Sequence, residues 1–438
     1  MAGRRIAVAL SGGVDSSVAA HLLIQQHDTN SVVGVHMSNW DYDLEDTKDR
    51  HLPDCLEQEW KDAQAVAKHL GISIHHASFR QDYWNSVFEP YCRQLQSNHM
   101  PNPDVDCNRH VKFGVLKEYT QQRLSCDALA TGHYARLYDP RRDPIMPDCL
   151  QETLDAEPAL SALIGSETPT LLAAVDTSKD QSYFLSGVLP DGFSNVLFPL
   201  GHLNKKPQKD DATSTPTTRD IAHDANLPTK DKRESMGICF VGKRSKFSDF
   251  VHQYIEPPKG QGTLVSVDDG AILGTFDPTT SPLVYATIGQ NAKVSGAAQK
   301  WFVVGKQDAT TVTICPGTHH PSLYSDRLYL DDLNWISNRP QGPLHLKCRI
   351  RHLQPLVDCE LRPLEEGGYE VVFEKPLRGI ASGQAAVFYV GNGLVCVGGG
   401  PITKRGPSYY ELNKDLPSEL HPAGHNDLSS SPSASRLE

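Results

Sequence analysis

Long apolar runs are missing from this sequence: no stretch of its 438 residues approaches the roughly 18–20 needed for a membrane-spanning helix, so none is expected. Paired cysteines are missing as well. Ten cysteines are scattered along the chain without a single CxxC, which excludes a disulfide-dense secreted scaffold and a zinc ribbon. A reducing compartment with mostly buried thiols fits that pattern. An excess of positive charge is also absent: the formal net charge is −11, so a uniformly basic nucleic-acid binder is excluded and only local patches remain for a polyanion. Met1 to Arg5 run straight into an apolar strand and hold neither a secretory h-region nor a convincing organellar presequence. No internal repeat is visible.

What is present begins with alternation. Ile6 to Leu10, Val32 to His36, Ile72 to His75 and Asp127 to Thr131 read as buried strands. Helical periodicity fills the gaps at Val18 to Gln26, Glu57 to His69 and Trp84 to Gln96. This order predicts an α/β fold with a doubly wound parallel sheet, whose ligands sit beyond the carboxyl ends of the strands. Proline-rich or polar runs near 139–170 and 205–218 are expected as surface insertions. After about Phe247 the pattern changes to short strands parted by Gly, Pro and Asp turns. The expected division is 1–246 for the parallel-sheet domain, 247–310 for a small central β-rich domain and 311–412 for a C-terminal β-barrel. A Ser/Pro-rich tail, 413–438, is expected to be disordered.

The first chemical motif is Ser11-Gly12-Gly13-Val14-Asp15-Ser16-Ser17, between strand one and helix one. Free N–H groups and the positive end of a helix dipole favour a phosphate there, and glycines let the main chain approach it. Ser11, Ser16 and Ser17 could add hydroxyl donors. The bland alternative is an ordinary strand-to-helix turn with serine caps. The loop lacks the Gly-Lys-Ser/Thr ending of a Walker A motif, which disfavours a kinase or GTPase. It resembles the Ser-Gly-Gly-x-Asp-Ser loop of the ATP-pyrophosphatase superfamily, whose members adenylate a carbonyl oxygen and let a nucleophile displace AMP. That resemblance makes Asp15 the carboxylate on the magnesium side.

Two cysteine segments narrow the substrate. In Asn102-Pro103-Asp104-Val105-Asp106-Cys107-Asn108, prolines fix the backbone and a helix is expected soon after Cys107. A cysteine near a helix N-terminus with Arg109 and Lys112 nearby gains thiolate character. Asp104 is close enough to move a proton. In Glu234-Ser235-Met236-Gly237-Ile238-Cys239-Phe240, glycines and flanking basic runs suggest an exposed loop. For either cysteine, taken alone, a buried structural thiol is an equal alternative.

Taken together, the glycine loop and both cysteines resemble the MnmA family of tRNA-specific 2-thiouridylases, up to about residue 410. The resemblance also rests on His36 to Trp40, Ala130 to Tyr134, Lys179 to Phe184, Phe198 to Gly201, Thr287 to Gln290 and Ser382 to Gln384. It implies that Ala9, Leu10, Ser11, Gly12, Gly13, Val14, Asp15 and Ser16 bind ATP, with Met37 and Gly132 completing the adenine and ribose side. Asn102, Pro103 and Asp104 would contact the target base. Cys107 would be the assisting nucleophile and Cys239 the persulfide carrier, with Asp104 for proton transfer. His133, Lys179, Asp180, Gln181, Gln384 and the pair Arg349 and Ile350 would face tRNA.

The implied reaction adenylates the uridine 2-oxygen with ATP and Mg2+, then transfers sulfur that originates from a cysteine desulfurase. Wobble uridines of Lys, Glu and Gln tRNAs are the implied targets. Basic runs at Lys205-Lys206 and from Lys230 to Lys246 are candidates for tRNA backbone contacts. Rival classes are a small-molecule synthetase, which needs no cysteine pair, an iron–sulfur thiolase, which normally shows CxxC motifs, and a catalytically dead tRNA binder. The contexts around Lys232 to Gly237, Arg349 to His352 and Gly406 to Tyr409 resemble the mitochondrial branch; a bacterial origin would make the protein cytoplasmic.

Overall fold

The structure is a computed structural model describing residues 4–40, 52–164, 167–205, 216–233, 250–340 and 342–420, with backbone alone at 52–56. Five parallel strands form the first sheet: β1 (Ile6–Ala9), β2 (Val32–Ser38), β3 (Ser73–Ser78), β4 (Ala128–Ala130) and, after two strands that belong elsewhere, β7 (Val196–Leu197). Their order is β3-β2-β1-β4-β7. The chain winds outward from β1 to β3 and then returns to β4 on the other side of β1. This reversal makes the gap beyond the carboxyl ends of β1 and β4 the switch point, where such sheets receive ligands. Helices α1 (Val14–Gln26) and α2 (Leu52–Leu70) cover one face and pack Val18, Leu23, Ala63 and Val66 against Ile6 and Val8. Apolar side chains on both faces of β1 explain why its sequence is apolar throughout rather than alternating.

The second sheet comprises β8 (Gly262–Ser266), β9 (Ile272–Phe276), β10 (Trp301–Lys306) and β11 (Thr311–Pro316), in the order β10-β11-β8-β9. Thr311–Pro316, on the barrel side of the expected 310/311 division, thus pairs with β10 and β8. Asp308 accepts hydrogen bonds from the Thr310 and Thr311 N–H groups, folding β10 back onto β11, and Val312 and Ile314 complete the small core with Leu264 and Val303.

The barrel sheet runs through β12 (Tyr324–Leu330), β13 (Asn334–Trp335), β14 (Leu344–Arg349), β15 (Val357–Pro363), β16 (Tyr369–Arg378), β17 (Ala385–Val390), β18 (Val395–Pro401) and β19 (Lys404–Arg405). It also takes in β5 (Arg136–Tyr138) and β6 (Thr170–Leu172) from the first half of the chain. β6 pairs with β18, Leu172 opposite Val395, and β5 pairs with β6. The 139–170 run is therefore no loose insertion. It contains a helix, Asp148–Ala156, whose Leu150 is fully buried, and Leu163 and Ile164 join the barrel core. The other polar run keeps a helix at its end, Thr218–Asp224, started by a reciprocal Thr217–Asp220 capping box; 206–215 lie outside the described residues. Order also continues past 413: Glu419 pairs with Lys375 at 3.0 Å, and Leu416 and Leu420 pack beside Phe302 and Leu323. Residues 421–438 of the expected tail lie outside the described residues. Among the described residues no helix is long and apolar enough to cross a membrane.

Candidate active site

β1 delivers the glycine loop to the switch point. Leu10 donates its N–H to the Val35 carbonyl at 2.8 Å and accepts from the His36 ring on its own carbonyl at 2.8 Å, so the strand end is held on both sides. Burial keeps the His36 imidazole below its ordinary pKa. Gly12 takes φ +75°, and a Cβ there would meet the Glu59 carbonyl of α2 at 2.4 Å; both facts demand glycine. Ser16 and Ser17, expected as phosphate donors, are buried and used internally. Ser16 Oγ receives the Ser11 N–H at 3.2 Å and donates to the Gly13 carbonyl at 3.1 Å. Ser17 Oγ donates to the same carbonyl at 2.7 Å. Their hydroxyls shape the loop, leaving the exposed Ser11 and the backbone N–H groups at the start of α1 for an anion. Ala9, Val14 and Met37 are half-buried, while the Leu10 side chain is buried in the core.

The motif carboxylate is already engaged. Asp15 accepts from the Tyr134 hydroxyl at 3.1 Å and from Lys205 Nζ at 2.8 Å, and Lys205 also lies over the Tyr134 ring. Its side chain is one-third exposed, which leaves room for a ligand. Gly132, at the end of β4, packs directly on this loop: a Cβ would stand 2.9 Å from Ser16 N and 3.0 Å from Asp15 C. The next residue points the other way. His133 is buried, accepts or donates with Thr131 Oγ1 at 2.7 Å, and has its ring 5.6 Å from Phe113. Burial, then the nearby Lys112 charge, holds its pKa well below the imidazole norm. His133, expected on the tRNA face, is thus held between Thr131 and Phe113.

Phe113 and Lys112 belong to the helical run that carries Cys107. That run starts earlier than expected, at Pro103: Asn102 caps it by accepting from the Asp104 N–H at 3.1 Å. Proline at the first position suits it because no N–H is needed there. From Cys107 to Val115 the bonding widens to i→i+5, a geometry that recurs at functional sites. Cys107 is fully buried in the first turns, and Asp104 is half-buried. Sequence reasoning passed over Asp106. Burial raises its pKa to about 6, with Arg109 opposing. An acid raised on folding binds its proton more tightly in the folded state, so stability is greatest below the unfolded value near 3.8 and declines as pH rises through about 6. Asp106→Asn is therefore expected to stabilise the protein by about 1–2 kcal/mol at pH 8 and by almost nothing at pH 4, read from urea midpoints at both values.

The barrel grips the segment just ahead. Met100 N–H donates to the Ser382 carbonyl at 2.8 Å and Gln384 Nε2 donates to the Met100 carbonyl at 2.5 Å. Gly383, at φ +90°, brings its backbone so close that a Cβ would sit 2.6 Å from Met100 N. Gln384, expected to face tRNA, holds the chain just ahead of Asn102.

Three further residues expected to face tRNA make internal contacts in this structure. Asp180 is 2% exposed; it accepts from the Ala174 and Ser182 N–H groups at 3.1 Å each and from Ser182 Oγ at 2.8 Å, with Arg349 Nη1 at 3.5 Å. Gln181 Oε1 accepts from the Tyr134 N–H at 2.9 Å. Ile350 is 1% exposed inside the barrel, its carbonyl accepting from Tyr183. Arg349 lies mostly buried against the Tyr389 ring, and Lys179 is half-buried beside this node. Cys239 lies outside the described residues.

Comparison with known proteins fits this two-part site. The family model described as "tRNA methyl transferase HUP domain" matches residues 4–243, and "Aminomethyltransferase beta-barrel domain" matches 325–402. A mouse (Mus musculus) relative, "Mitochondrial tRNA-specific 2-thiouridylase 1", is 37% identical over 421 residues, covering 94% of each chain. The chain belongs to the tRNA-specific 2-thiouridylase family. A bacterial member, "tRNA-specific 2-thiouridylase MnmA" of Protochlamydia amoebophila (strain UWE25), is 34% identical over 428 residues, covering 97% of this chain and 99% of its own. Within the family, the barrel model begins only at 325, whereas the barrel sheet here also includes β5 and β6 from the matched HUP region.

Proposed function

We propose that this protein is a tRNA 2-thiouridylase that uses ATP to adenylate a wobble uridine and sulfur on Cys239 to replace its 2-oxygen. The observation that carries the reading is the loop after β4: Gly132 lies on Asp15 and Ser16 of the glycine loop, and His133 lies on Phe113 of the Cys107 helical run. This turn touches both the start of α1 and the helical run that carries a buried thiol, which supports the reading.

The uridine 2-oxygen attacks the α-phosphorus, pyrophosphate leaves, and a poor leaving group becomes AMP. Backbone N–H groups of the loop stabilise the charge that develops on the phosphates. Magnesium would be held by Asp15 together with nucleotide phosphates, and would neutralise their charge. The terminal sulfur of a Cys239 persulfide adds at carbon 2 and AMP departs. The Cys107 thiolate then attacks the inner sulfur, leaving 2-thiouridine and a Cys107–Cys239 disulfide that a cellular thiol reduces. Asp104 is the proposed proton carrier. Because Cys107 is buried, the base must be drawn out of the anticodon stack toward it. The sulfur donor is proposed to be charged by a cysteine desulfurase and the tRNAs to be of Lys, Glu and Gln type. The mouse relative's name and the resemblance of Lys232 to Gly237 support a mitochondrial site of action.

Transfer of radiolabelled sulfur from desulfurase-charged protein to unmodified tRNA tests this. Wild type should label tRNA only with ATP and magnesium, and Cys107→Ser and Cys239→Ser should both fail. Protein-bound label should persist in Cys107→Ser and vanish in Cys239→Ser. Transfer that survives loss of both cysteines would sink the reading.

A further inference from the structure

Asn108 follows Cys107 in the widened helical run and is 2% exposed. Its Nδ2 donates to the Phe184 carbonyl at 3.0 Å. That bond fixes which way the carboxamide lies, because a flipped amide would set its oxygen against the carbonyl oxygen. The accepting carbonyl is itself firmly placed. Phe184 belongs to the short helix Ser182–Leu185, and its ring lies 4.3 Å from that of His352, whose Nε2 donates to the Asp180 carbonyl at 2.8 Å. The other half of the carboxamide differs: Asn108 Oδ1 is shut off from solvent, and among the described residues none donates to it. A buried oxygen without a donor is costly and uncommon. A leucine of similar volume would fill the same space without that cost, so packing alone does not account for an asparagine here.

We propose that Asn108 Oδ1 accepts the N3–H of the target uracil and so selects uracil against cytosine at the reacting position. This deepens the thiouridylase reading above and rests on it. Asn108 follows Asp104, the proposed base contact and proton carrier, by four residues, about one helical turn, so both stand on the same side of the run. An acceptor is what the base requires beside carbon 2. Of the two ring nitrogens that flank this carbon, N1 carries the ribose and N3 carries the hydrogen. Cytosine presents a lone pair at N3 instead, which would meet the Oδ1 lone pairs directly. Burial sharpens the contrast, because neither mismatched group could turn to water. The same bond favours the reaction. Transfer of AMP to the 2-oxygen draws electron density from the ring, so N3–H becomes a stronger donor and its bond to Oδ1 tightens as the barrier is crossed. An amide oxygen is too weak a base to take the proton, which leaves that step to Asp104.

The test uses the full chain and tRNA carrying uridine, cytidine or 3-deazauridine at the wobble position; the last has C–H where uridine has N3–H. Adenylation is read as pyrophosphate released in a single turnover, alongside the affinity for each tRNA. Wild type should adenylate the uridine tRNA about tenfold to a hundredfold faster than either analogue. Asn108→Leu should lose most of that ratio, chiefly by slowing the uridine tRNA, with thermal unfolding recorded to show that it is folded. Both proteins meet the same analogues, so intrinsic differences in ring reactivity cancel from the comparison. A folded Asn108→Leu that keeps the wild-type ratio, whatever its absolute rates, makes Asn108 structural only while the thiouridylase reading stands. A wild type that binds and adenylates uridine and 3-deazauridine tRNAs alike overturns the proposal without any variant. A wild type that releases no pyrophosphate with uridine tRNA overturns the thiouridylase reading, and this inference with it.

Discussion

Gly132→Ala is expected to abolish most ATP–pyrophosphate exchange while leaving the chain folded. The added methyl would lie 2.9 Å from Ser16 N and 3.0 Å from Asp15 C. Both are backbone atoms at the start of α1 and cannot swing aside as a flexible side chain could. The backbone at Gly132 is not in the left-handed region, so alanine adds no torsional penalty, and the whole effect is steric. Either β4's exit loop or the glycine loop must retreat, and a displacement of this size at a reacting centre costs about a hundredfold. Exchange kinetics together with far-ultraviolet circular dichroism would check it. A near-normal rate from folded protein would mean that the two loops do not touch in the working enzyme.

The second large effect concerns Asp180. Asp180→Ala is expected to destabilise the protein by about 3–5 kcal/mol, the usual cost of stranding the partner of a buried ion pair. Arg349 would lose its counter-charge at 3.5 Å, and the N–H groups of Ala174 and Ser182 would lose their acceptor. Asp180→Asn should cost less, because one side-chain oxygen still accepts. Urea denaturation measures both. Unchanged stability with weakened tRNA binding would return Asp180 to the tRNA-facing role implied by family resemblance.

These two residues also show what can be read from sequence and what cannot. Gly132 was placed by its sequence at the end of an apolar strand, Ala128 to Ala130, and its nucleotide role was named only through family resemblance. β1, β2 and β4 were legible as continuous apolar runs buried on both faces, whereas β7, two residues long, was too short to register. The burial of Asp180 was not legible because its partner Arg349 and its neighbour Tyr389 lie roughly 170 to 210 residues further along the chain. The burial of Ile350 was not legible, because resemblance to a contact position says nothing about which way a barrel residue faces. β5 and β6, at three residues each, are too short for alternation to register. Asp106 was overshadowed by Asp104, since its raised pKa comes from packing and leaves no trace in composition. The Thr217–Asp220 capping box was readable in principle, but it straddles the end of the polar run 205–218.

The pairing of β6 with β18 sets a timetable for biosynthesis. Leu171 and Leu172 leave the ribosome long before Val395 and Cys396, their partners, have been made. At about 5–20 residues per second the interval is on the order of ten seconds or more, during which an apolar strand edge has no mate. Such an edge invites pairing with other chains. A nascent fragment ending near residue 243, although it spans the whole HUP match, would carry that edge permanently. The two halves of this enzyme are therefore poor candidates for separate expression, and their folding is one event that closes only when the last barrel strands arrive.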